Sequence, residues 1–128
     1  MRLVFVAVKT SLKSKKPQIA LLWRDPKGRW SLRPVWNSGT RPVAVLDEKV
    51  KRIHVLFASS ESGGDILMQS AKASDPVFTS VPTIVIARGS YRKWNNPTVA
   101  GGSVRGSFVV ASCRDGGFRV RSALVRGA

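Results

Sequence analysis

Apolar residues in this chain fall in short runs of β-branched and aromatic type, broken by turn-forming residues every ten or so positions. Within the runs Val6, Val8, Ile19, Leu21 and Trp23 alternate with a period of two, and other runs are continuous, as in strands buried on both faces. Successive side chains of a strand point to opposite faces, whereas a helix needs apolar positions three and four apart, so the pattern predicts many antiparallel strands. Ten are expected: Leu3–Thr10, Pro17–Asp25, Arg29–Trp36, Pro42–Asp47, Arg52–Ser59, Asp65–Lys72, Thr83–Ala87, Pro97–Gly101, Ser107–Cys113 and Phe118–Val125. Asp65–Ala73 is the one stretch that also reads as a helix, because Ile66, Leu67 and Met68 are followed by polar residues. Between the runs, Asp25-Pro26-Lys27-Gly28, Asp47–Lys51, Ser62-Gly63-Gly64, Gly101-Gly102-Ser103 and Asp115-Gly116-Gly117 carry residues suited to tight reversal and read as hairpin loops.

Composition narrows the class further. The 128 residues allow a single domain with an ordinary core. With 22 Lys and Arg against 7 Asp and Glu the formal charge is +15, yet a 43% hydrophobic content is too high for a disordered basic tail. Cys113 is the one cysteine and His54 the one histidine, which excludes an intrachain disulfide and a structural zinc site. Met1–Val8 lacks the cleavage site of a signal peptide, and no later apolar run is long enough to span a bilayer. A soluble chain without cofactor is expected, its compartment left open.

A weak internal repeat is visible. Phe5-Val6-Ala7-Val8, Leu56-Phe57-Ala58-Ser59 and Val109-Val110-Ala111-Ser112 align on Ala7, Ala58 and Ala111, at intervals of 51 and 53. Thr40-Arg41-Pro42-Val43 aligns with Asn95-Asn96-Pro97-Thr98, where the prolines are 55 apart. A period near fifty with about four strands per unit points to β-propeller blades.

The order of segments makes the likeness more specific. Val6-Ala7-Val8-Lys9-Thr10, Pro17–Leu22, Gly39-Thr40-Arg41-Pro42-Val43, Arg52–Ser59 and Asn95-Asn96-Pro97-Thr98 together resemble the sialidase-like, or bacterial neuraminidase repeat, family of β-propellers. Asp25-Pro26-Lys27-Gly28-Arg29-Trp30 resembles that family's Asp box in degenerate form, with the Gly one place late and Trp23 where Ser or Thr belongs. Its role is structural: Asp25 is expected to accept N–H groups of the turn, Gly28 to take positive φ and Trp30 to pack beneath. The resemblance implies an incomplete all-β propeller, with residues 1–37 a partial blade, 38–94 a complete blade and 95–128 a second partial blade. Two and a half blades do not close a ring, so the chain is expected either to be part of a longer propeller or to assemble as a homo-oligomer; a truncated fragment without independent function is a further alternative.

The resemblance also implies a ligand face, built here from the loops Leu12–Lys16, Asn37–Arg41, Ser60–Gly64, Gly89–Asn96 and Arg114–Gly117. These loops bring Lys13, Lys15, Lys16, Arg41, Tyr91, Arg92, Lys93, Trp94, Asn95, Asn96 and Arg114 to one end. Arg41 starts an innermost strand, where its guanidinium suits a carboxylate clamp; the competing reading pairs it with Asp47 or Glu48. Trp94 either stacks on a sugar beside Asn95 and Asn96 or fills a gap between blades.

Glycoside cleavage needs paired carboxyl groups, or a tyrosine nucleophile with an acid partner, and the chain is poor in both. Tyr91 is the one tyrosine, and Glu61 and Asp65 read as solvated loop residues. Phosphate-cradling loops, the Gly-x-Ser-x-Gly elbow and zinc-protease motifs are missing. The chain therefore reads as a non-catalytic ligand-binding or structural module, with acidic glycans as the expected ligand class. The rival reading is a nucleic-acid-binding protein, since dispersed cations meet phosphates of any sequence and Trp36, Tyr91 and Trp94 could stack bases.

Overall fold

The structure is a computed structural model that describes residues 3–10, 17–60, 64–88, 94–99, 103–113 and 119–126. Among these residues it is all-β, with eleven strands and no helix. The strands are β1 (Val4–Lys9), β2 (Ile19–Arg24), β3 (Trp30–Trp36), β4 (Thr40–Asp47), β5 (Arg52–Ala58), β6 (Ile66–Lys72), β7 (Thr83–Ile86), β8 (Thr98–Val99), β9 (Ser103–Val104), β10 (Ser107–Cys113) and β11 (Val120–Arg126). They form three sheets: β1-β2-β3, a central β7-β6-β5-β4-β9, and β11-β10-β8. Every pairing is antiparallel except that of β4 with β9.

Burial follows the period-two pattern and sets the layering. Ile53, Val55 and Phe57 of β5 pack with Ile19, Leu21, Trp23 and Val35 of the first sheet. The other face of the same strand turns Leu56 and Ala58 toward Phe108 and Val110 of the third sheet, with Val45, Ile66, Ile86 and Trp94 around them. The central sheet is thus covered on both sides, and Ile53–Ala58 are all buried. Each large apolar side chain removed from water there contributes about 1.5–3 kcal/mol.

Ten of the eleven strands overlap the ten expected, of which the ends at Ala100–Gly101 and Phe118 lie outside the described residues, and within the segment Asp65–Ala73, with its alternative helical reading, Ile66–Lys72 forms β6, paired along its length with β5. The strand not foreseen is β9, which falls at the end of the stretch read as a Gly101-Gly102-Ser103 hairpin loop. Its two residues pair in parallel with Leu46 and Asp47, and the Glu48 N–H donates to Val104 O at 2.9 Å. Two residues are too few to show a period, and the pairing is set by an encounter between distant segments.

The Asp25 turn forms as its residues dictate. Asp25 Oδ1 accepts the N–H groups of Lys27 at 2.8 Å and Arg29 at 2.9 Å, Oδ2 accepts Arg29 Nε at 2.8 Å, and Gly28 sits at φ 84°. The Arg29 N–H holds the carboxyl below its usual range; burial works against it and is outweighed with the help of the Arg29 guanidinium and the Lys27 N–H. Trp30 requires a correction. It does not pack under the turn but is 54% exposed, because Val35 fixes the inward parity of β3 and so turns Trp30, five residues earlier, outward. The inward side chain that matters is Arg33, whose guanidinium carbon lies 4.5 Å from the centre of the Trp23 ring while Nη1 contacts Asp75 Oδ1 at 2.6 Å.

Gly39 joins β3 to β4 at φ 143°, where a Cβ would stand 2.7 Å from both Ala58 O and Phe57 Cδ2, and its N–H is held by Gln18 Oε1 at 3.2 Å. A Cβ on Gly28, at φ 84°, would meet nothing nearer than the Arg24 guanidinium at 3.5 Å. Gly39→Ala should therefore cost about 2 kcal/mol or more, against about 1 kcal/mol for Gly28→Ala, which carries backbone strain alone. Urea denaturation checks the order, and equal losses would contradict the close approach at Gly39.

Candidate functional site

Arg41 occupies a bulge at the start of β4. Thr40 pairs with Ala58 and Val43 with Leu56, so three steps on β4 match two on β5 and one residue is extra. Arg41 takes up the irregularity at φ 53°, a left-handed conformation that costs an ordinary L-residue about 1–2 kcal/mol. Pro42 follows it and brings no N–H to the ladder, which suits a break in pairing. The arrangement leaves the Arg41 side chain exposed at the strand end.

The neighbours of Arg41 come from three directions. Its Nη1 donates to Asn95 Oδ1 at 3.5 Å, across 54 residues of sequence. Asn95 is itself anchored, because its N–H donates to Cys113 O at 3.0 Å at the end of β10. On the other side, Lys9 Nζ at the end of β1 donates to Thr40 Oγ1 at 3.5 Å. Two cations, a hydroxyl and an amide thus meet where the three sheets end. Ion pairs among the described residues are Arg29–Asp25 and Arg33–Asp75, so no described carboxylate neutralises Arg41. The alternative partner Asp47 lies at the far end of β4, about 20 Å of strand away.

Of the other residues expected at this end, Trp94 is 5% exposed and packs in the core between the central and third sheets. It exchanges backbone hydrogen bonds of 3.0 Å with Gly64, donates Nε1–H to Ala87 O at 2.9 Å, and has the Arg121 guanidinium 5.9 Å from its ring centre. Of its two readings Trp94 takes the packing one, and in doing so it fixes Asn95 beside Arg41. Asn96 is exposed. Asp65 is engaged in structure, with Oδ1 accepting the Arg88 N–H at 2.7 Å. Tyr91, Arg114, Lys13, Lys15, Lys16, Arg92, Lys93 and Glu61 lie outside the described residues.

A second cluster, which sequence reasoning missed, sits at the opposite end. Asp47 is fully buried and its Oδ1 accepts the N–H groups of Gly106 at 2.9 Å, Lys49 at 3.0 Å and Val50 at 3.4 Å. It so ties the β4–β5 turn to the loop before β10. His54 is buried on the same face of the central sheet, shares a 2.6 Å hydrogen bond between Nδ1 and Ser70 Oγ, and has its ring 5.5 Å from that of Phe108. Close by, a cleft of about 600 Å³ is lined by Leu3, Leu46, Glu48, Lys51, Ala73, Ser74 and Arg105. No group of three or more metal-ligating side chains occurs among the described residues. The chain matches no family model, no curated protein and no solved structure.

These two groups set the acid response. Burial opposes the charge on Asp47, but the N–H groups of Gly106, Lys49 and Val50, with a small contribution from His54, outweigh it and hold the carboxyl below its ordinary value of 3.8. Burial lowers His54 from 6.5; Asp47 works in the opposite direction and Arg52 adds to the lowering. A His depressed in the folded state binds protons more readily when unfolded, so its contribution is intact above 6.5 and is lost as pH falls below it; the depressed Asp contributes above 3.8 and fails as pH drops through its folded value. Melting temperature should therefore fall in two stages on acidification. His54→Asn, which keeps a polar atom for Ser70, should flatten the first stage, and Asp47→Asn should cost about 1–3 kcal/mol at neutral pH by weakening the hydrogen bonds to the turn. A melting temperature that does not change between pH 7 and pH 5 in the native protein would contradict the buried neutral His54.

Proposed function

We propose that the three sheets are blades of a sialidase-like β-propeller arrangement and that the chain is a binding module for acidic glycans, held at the strand end that carries Arg41. The blade reading is supported by three sheets, antiparallel but for the short β4–β9 pairing and each built around a run of strands consecutive in sequence, layered face to face about the central one. One observation carries the binding reading. Arg41 holds a strained left-handed backbone before a proline, exposed, with an amide and, among the described residues, no carboxylate on its guanidinium. Left-handed outliers collect where ligands are held, and since Lys51 in the β4–β5 turn shares the conformation at φ 56°, it is the exposed guanidinium at the bulge beside Asn95, together with the φ, that supports the site. A uronate or sialate carboxylate suits this setting, with Arg41 as a planar donor pair, Lys9 adding charge and Asn95 available to hydroxyls.

A charge of +15 attracts any polyanion, so the test must separate a site from a field. Arg41→Ala should lower affinity for a polyuronate about tenfold or more, as loss of a charge-assisted hydrogen-bonded pair does. Arg41→Gly should lose the same binding while raising stability by about 0.5–1 kcal/mol, because glycine accepts this φ freely. Calorimetric titration at moderate salt with thermal melts reads both. Binding that ignores Arg41, collapses with salt and is matched by DNA or RNA of any sequence would replace this reading with the nucleic-acid one.

A further inference from the structure

The two outer sheets each have one face in a core and one face open, and the open faces are apolar. On the first sheet, Val6, Leu22 and Leu32 stand in cross-strand register on the outward side, with Trp30 beside them. Val6, Trp30 and Leu32 are each about half exposed. On the third sheet, Val109 is opposite Leu124 and Cys113 opposite Val120 on the outward side, and Val109, Leu124 and Val120 are exposed by half or more. Among the described residues charge is nearly absent from both faces, in a chain with 22 basic residues. Of the outward positions on β1, β2 and β3 only Arg24 is charged, and on β10 and β11 only Arg126, each the last residue of its strand. Exclusion of charge from the middle of a face is the compositional mark of a protein–protein contact.

We infer that the occupant of both faces is a second copy of this chain, docked so that the first sheet of each copy lies on the third sheet of the other and the two copies close a ring of six sheets. This inference rests on the blade reading above and makes no use of Arg41. Area decides between one contact and two. Three strands about 4.8 Å apart and up to seven residues long present roughly 300 Å² per face, so a single face-to-face contact buries roughly 600 Å² over both partners, below what a stable association needs. Two such contacts bury roughly 1,200 Å² and reach that class. The faces are also unlike each other and lie at opposite ends of one stack, which suits a head-to-tail contact that closes. Within the chain, the central sheet shows the same packing already made on both of its sides.

The native mass of the full chain in solution tests this, together with the reactivity of Cys113, which is exposed and points to the same side as Val109. The expected result is twice the chain mass of 14.0 kDa, with maleimide labelling of Cys113 slowing as concentration rises and the dimer forms. Leu32→Glu alone and Leu124→Lys alone should each halve the mass while circular dichroism keeps its β signature, and the double variant should recover the dimer. A contact between like faces would set Glu against Glu and would not recover. A folded native chain that stays at the single mass, grows into a filament, or dimerises indifferently to Leu32 and Leu124 overturns the inference. Should a variant unfold, native mass and Cys113 labelling still decide. Binding at Arg41 is measured separately, so a monomer that binds polyuronate through Arg41 refutes the ring and leaves the glycan reading standing.

Discussion

The structure depends on a strand that has no solvent side. β5 is six consecutive buried side chains long, Ile53 to Ala58, and its two faces seed the two cores that hold the outer sheets in place. A strand of this kind commits its neighbours. The first sheet has to present Ile19, Leu21 and Trp23, and the third Phe108 and Val110, or β5 would leave apolar surface in water. The layered order of the molecule follows from that requirement more than from any loop.

Electrostatics sits at the two ends of this stack and takes opposite forms. At one end, Asp47 is buried and met by three backbone N–H groups, so its charge is spent on joining the β4–β5 turn to the segment before β10. At the other, Arg41 is exposed, strained and without a described carboxylate. The first arrangement is how a fold uses a charge internally. The second leaves a charge with no described carboxylate beside it, and that difference is the physical basis for proposing a site at the Arg41 end.

Much of this was legible in the residues. Period-two alternation, and in β5 an unbroken apolar run, marked ten of the eleven strands because both report which side chains leave water. Asp25 and Gly28 identified their turn because its chemistry is local. Trp30 was misread for a reason that is equally clear: its face is set by the parity of β3 against a core formed with another sheet, and the turn beside it has no say. β9, the Arg33–Asp75 bridge and the Asp47 contacts to Gly106 all join segments more than forty residues apart, and no local pattern announces them. Arg41 was singled out by likeness to a repeat family, while its bulge, its backbone conformation and its contact with Asn95 became visible only in three dimensions.

Amide hydrogen exchange along β5 tests the central claim most directly. If the strand is covered on both faces by sheets that fold with it, the amides of Ile53 to Ala58 exchange only through global unfolding, with protection equal to the full stability and the slowest rates in the chain. Exchange in β5 as fast as in β1 or β11 would mean that one of its faces opens on its own, and the layered arrangement would not stand.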